Sequence, residues 1–126
     1  AYPTYSFARN STIEYAWFIP QTENGETLDL DHEAEKKGFR KENILPLAER
    51  VVNSFKWEPA SLETNILVCW ERWQTELPSL QSSVAAQVVI REFTLDPDVE
   101  EKLIGETSLG KLTKSGGKWS YQKAAL

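Results

Sequence analysis

A chain of 126 residues, 40% hydrophobic and 26% charged, fits one compact domain over residues 1–126 and is too apolar for disorder. Its 19 acids against 14 bases leave a net charge of −5, which argues against nucleic-acid binding, because phosphate contacts need surplus Lys and Arg. Cys69 is the only cysteine, so neither an intrachain disulfide nor a multi-cysteine metal site can form. No apolar run approaches the ~18 residues of a membrane span, and no charged-plus-apolar leader is visible, so a cytoplasmic location is expected.

The first third reads as β. Tyr5-Ser6-Phe7 and Thr12 to Ile19 are rich in aromatic and β-branched residues, with a turn at Arg9-Asn10-Ser11 between them. Ile13, Tyr15, Trp17 and Ile19 share one face by period two, while Ala16 and Phe18 make the other face apolar as well. Pro20 is expected to end this strand, and Asn24-Gly25 to turn the chain.

A short helix should follow, capped by Asp29 or Asp31, with Glu33 and Glu35 in its first turn and Gly38 as its stop. Asn43 can cap a longer one. Ile44, Leu47, Ala48, Val51, Val52 and Phe55 form the apolar stripe of an amphipathic helix over 44–56. Pro46 lies in its first turn, where a missing N–H is harmless.

Residues 61–77 carry two competing patterns. Leu62, Ile66, Cys69, Trp70, Trp73 and Leu77 fit a helical face, yet Ile66 to Trp70 is a continuous apolar run suited to a buried strand. A strand over 64–73 is preferred, because Asn65 is a poor interior helix residue. Val88 to Thr94 reads as a second clear strand. Asp96-Pro97 then opens a short helix to about Ile104, closed by Gly105. Leu109–Thr113 and Lys118–Gln122 form a hairpin around Ser115-Gly116-Gly117. Strands at both ends and helices between them predict an α+β fold: a small, mostly antiparallel sheet covered on one face by one or two helices.

The segment holding Asp29, Asp31, His32 and Glu33 has the only histidine beside several carboxylates, the ingredients of a metal site or a general base. The spacing matches no compact metal motif, and successive helical residues point apart, so an acidic helix start facing water is the preferred reading. Neither a metal nor a cofactor is expected. Cys69 lies in the most apolar run of the chain and reads as a buried structural thiol.

Five tryptophans stand out: Trp17, Trp57, Trp70, Trp73 and Trp119. Most should be core, but Trp also anchors binding surfaces. Trp73 beside Arg72, flanked by Glu71, Gln74 and Glu76, is the first candidate for an exposed binding indole. Trp119, on the lysine-bearing tail hairpin, is the second. Without a convergent catalytic set, the expected function is a non-enzymatic interaction domain: an adaptor, assembly factor or regulatory subunit. Its partner would be a protein, and self-association is compatible with the same surface. A small-ligand or carbohydrate binder with an aromatic pocket is the first alternative, and an enzyme centred on Asp29, Asp31, His32 and Glu33 the second. His32→Ala should therefore leave the fold and partner binding intact. Loss of a measured catalytic activity in a folded His32→Ala protein would overturn the non-enzymatic reading.

Overall fold

The computed structural model describes residues 12–28, 45–94 and 103–124. Strand β1 (Thr12–Gln21) is followed in the described chain by helices α1 (Leu45–Trp57) and α2 (Leu62–Glu76). Strands β2 (Ala85–Thr94), β3 (Leu103–Ser115) and β4 (Lys118–Lys123) complete it. The strands form one antiparallel sheet in the order β1-β2-β3-β4, so β1 and β4 are its outer members. Both helices pack against one face, giving the α+β architecture expected from the sequence. Among the described residues no helix is long and apolar enough to cross a membrane.

Register shows how the sheet builds its core. Ala16 pairs with Ile90, Phe18 with Val88, Pro20 with Ala86, and Ala86 in turn with Leu112. Cross-strand partners share a face, so these buried residues form one continuous apolar floor beneath the helices. The opposite face of β1 and β2 carries Tyr15, Trp17, Val89 and Phe93, also buried, with Tyr15 and Phe93 stacked at 5.1 Å. The anticipated two-sided burial of β1 is therefore present.

Pro20 does not end β1. It lies inside the strand, buried, while its carbonyl turns away from β2 to accept a hydrogen bond from Leu28 N (3.0 Å). The N–H that proline lacks would have faced that same outward side, so the ladder to β2 loses nothing. The Asn24-Gly25 turn is as expected, with Gly25 at φ 80 and its N–H on Thr22 O at 2.9 Å.

Helix α1 buries Ala48, Val51 and Val52, as the stripe predicts, but Phe55 in its last turn is 41% exposed. The strand expected over 64–73 is instead the centre of α2. The helical set Leu62, Ile66, Cys69, Trp70 and Trp73 is the buried set, and Val68, which a strand would bury beside Ile66, is 45% exposed. Asn65 does not oppose the helix, because its side-chain amide donates to Ser54 Oγ across the α1–α2 contact. Ser54 in turn donates to Arg50 O at 2.9 Å. Tertiary packing of one face has outweighed the β propensity of the Ile66–Val68 run.

The helix expected to end near Ile104 is corrected in its last residues. Leu103, Ile104 and Gly105 begin β3, with Leu103 opposite Phe93 and Gly105 opposite Glu92; residues 95–102 lie outside the described residues. A register shift between Val88 and Val89 places Leu109 as the extra residue of a bulge. Gly110 follows it at φ 140, where an added Cβ would stand 2.2 Å from Gln122 O, so only glycine fits. The tail hairpin matches expectation, with Gly116 and Gly117 at φ 59 and 80. The expected strand at Tyr5–Phe7, the turn at 9–11 and the helix at 29–38 fall outside the described residues.

Helix and strand readings of 64–73 differ in a measurable way. On the observed helix, Ile66→Ala should cost about 2–5 kcal/mol of unfolding free energy, while Val68→Ala should cost under about 1 kcal/mol. Urea unfolding of the two variants measures both, and equal, large losses would restore the strand.

Candidate interaction surface

The tryptophans divide sharply. Trp70 and Trp73 are three residues apart on α2 and face the sheet together, both fully buried. Trp73 meets the rings of Trp17 at 4.6 Å and Phe18 at 4.9 Å, both edge-on. Those two β1 neighbours leave opposite faces of the strand, so the Trp73 indole sits against the strand's outer margin. Trp70 meets Phe18 at 5.0 Å and Trp119 at 5.2 Å. The exposure expected of Trp73 is not found, since at 0% exposure it offers no surface to a partner. The i, i+3 spacing that makes α2 a helix is what places it in the core.

Arg72 is exposed on α2, but it does not stand over an indole. Among the described residues the guanidinium that does is Arg91, 5.7 Å from the Trp17 ring centroid, with its Nε bonded to Glu106 Oε2 at 3.0 Å. Trp119 is half-buried. It lines an open cleft of about 320 Å³ between α2 and the β3–β4 hairpin, with Glu71, Gln74, Gln81 and Lys114 around it. Of the predicted site residues, Arg72 and Trp119 keep accessible surface and Trp73 does not.

The sequence reading missed Trp57, the last residue of α1, which is 80% exposed. It lies nine positions after the buried Ala48, about half a turn round at ~100° per residue, so it points away from the core. That arithmetic was available in the sequence, because Trp57 falls off the apolar stripe that defines the helix. The chain then turns: Glu58 N donates to Ser54 O at 2.9 Å, and Ser61 Oγ to Glu58 Oε1 at 2.9 Å. Lys56, next to Trp57, is tied to Glu14 on β1, which holds the end of α1 to the sheet. The indole thus projects from an anchored helix end with charged neighbours Lys56 and Glu58. Arg72 belongs elsewhere. With Ser54 against Asn65 in an antiparallel helix pair, Trp57 and Arg72 lie roughly 15 Å apart along the axes.

Among the described residues little else has chemistry to offer. Cys69 is buried, and burial pushes its thiol up to about 12, with the neighbouring Trp73 side chain acting weakly the other way. A thiol held protonated is no nucleophile, in keeping with the structural role expected of it. Among the described residues no three His, Cys, Asp or Glu side chains are grouped to hold a metal ion. Asp29, Asp31, His32 and Glu33 lie outside the described residues. The Trp70 indole N–H is buried and has no hydrogen-bond partner among the described residues. No family model, curated protein or solved structure matches the chain.

The Cys69 environment predicts an alkaline weakness. The unfolded thiol ionises near 9 and the native one near 12, so the native state holds the extra proton between those values. Stability from this group is complete below pH 9 and is lost as the pH rises toward 12. Relative to Cys69→Ala, the unfolding free energy should fall by up to about 1.4 kcal/mol per pH unit in that window. Parallel pH profiles of the two proteins would show instead that the thiol is accessible.

Proposed function

We propose that the chain is a non-enzymatic protein-interaction domain, an adaptor, assembly factor or regulatory subunit, with Trp57 as its principal anchor. One observation carries this reading: an indole 80% exposed at the end of a helix whose other face is packed. Trp buries more area per side chain than almost any other residue and loses little rotamer freedom on binding, which is why it dominates interface hot spots. A helix packed on the core through Ala48, Val51 and Val52 presents that indole on ordered backbone, so binding adds little backbone ordering cost. Charged Lys56 and Glu58 beside it supply a polar rim that limits wrong pairing.

A second reading has its own support in the Trp119 cleft. About 320 Å³ is at the lower end for small-ligand sites, and an aromatic wall with two amides, a carboxylate and an ammonium suits a neutral polyhydroxylated ring. A thermal-shift screen of mono- and disaccharides tests it, since a ligand bound only to the native state raises Tm.

For the leading reading, the partner is recovered by co-purification from the source cells and its affinity measured in purified form. Trp57→Ala should change unfolding free energy by less than about 0.5 kcal/mol, because the side chain packs against little. The same variant should weaken partner binding by about 2 kcal/mol or more. An unchanged Kd for a folded Trp57→Ala protein would remove Trp57 as the anchor.

A further inference from the structure

The outer edge of β4 is the second surface with something to offer a partner. Gly116 and Gly117 make a two-residue turn, so Ser115 and Lys118 close it as a hydrogen-bonded pair. Bonded pairs then recur at every second position, at Thr113 with Ser120 and Lys111 with Gln122. The bond from Ala124 N to Leu109 O, 3.1 Å, falls where this series continues and fixes its phase. Trp119, Tyr121 and Lys123 therefore turn their N–H and C=O groups away from β3. Among the described residues no strand pairs with that side.

Charge singles out the same edge. From residue 107 to 126 the sequence has Lys111, Lys114, Lys118 and Lys123 and no acid, in a chain of net charge −5. All four lysines are exposed, and none forms an ion pair with a described residue. Lys118 and Lys123 stand at the two ends of β4, on opposite faces of the sheet by strand alternation. Lysine on an edge strand discourages indiscriminate pairing. It also selects, because a strand with acids at matching positions converts the repulsion into attraction. A second copy of this chain joined through β4 would bring together two strands that each carry lysines and no acid of their own.

We propose that the β4 edge receives an acidic extended segment of a partner protein as an added strand, with the outward groups of Trp119, Tyr121 and Lys123 supplying the ladder. Lys118 and Lys123 engage acids near the two ends of a segment of about six residues, and Lys111 and Lys114 extend the positive field inward. This rests on the protein-interaction reading, but at a surface separate from Trp57.

The capped hexapeptide EVTVTE, titrated into the isotope-labelled protein and followed by NMR, tests the proposal against KVTVTK. EVTVTE should shift the amides of Trp119, Tyr121 and Lys123 and slow their hydrogen exchange, and should bind at least about tenfold tighter than KVTVTK, less so at high salt. The exposed double change Lys118→Glu with Lys123→Glu should reverse the preference. Equal binding of the two peptides, shifts confined to other strands, or sedimentation showing copies joined through β4 would overturn the proposal. Trp57→Ala should leave the β4 response intact. Partner binding that needs Trp57, with no peptide response at β4, removes the edge alone, whereas a peptide response beside partner binding unchanged by Trp57→Ala removes the Trp57 anchor alone.

Discussion

The contact on which the rest of the structure depends is the seating of two indoles of α2 across the width of the sheet. Trp73 reaches Trp17 and Phe18 on β1, and Trp70 reaches Phe18 on β1 and Trp119 on β4. Those are the two outer strands, whose backbones are three strand spacings apart, on the order of 14 Å. Smaller side chains on one helix would not span that gap. Each edge-to-face pair adds roughly 0.5–1.5 kcal/mol beyond its buried area.

This seating sorts the aromatic surplus into structure and function. Trp17, Trp70 and Trp73 are buried, and Trp119 is held half-buried as the far end of the ring chain. Trp57 takes no part in it, although it belongs to the best-defined helix of the sequence. The β3–β4 hairpin is pinned by Trp119 on one face, which keeps β4 in the sheet while leaving its backbone edge and its lysines outward. The proposed β4 surface is thus a consequence of how the core is closed, whereas Trp57 stands apart from it.

Much of the fold was legible in the sequence because it was written twice, in period and in punctuation. For β1 the alternation of Tyr15 and Trp17 agreed with the β-branched composition. In the tail hairpin two glycines stood where positive φ was required, and in α1 the stripe and Pro46 agreed. Where the signals disagreed, the reading failed. Ile66-Leu67-Val68 spoke for a strand and the spacing of Trp70 and Trp73 for a helix, and only tertiary contact with Phe18 could decide between them. The site was less legible for the same reason, since Trp73 becomes core once α2 is a helix. Trp57 was obscured because exposure depends on a helix's facing direction, whereas the charged neighbours of Trp73 mark it in the sequence whichever element it lies on.

Native-state hydrogen exchange of a Trp70→Leu protein tests the central claim that α2 ties the two outer strands together. Losing the ring while keeping an apolar side chain should lower the protection of β1 and β4 amides in step, by about 1–3 kcal/mol at both edges. A protein in which β4 keeps full protection while α2 alone loosens would contradict it.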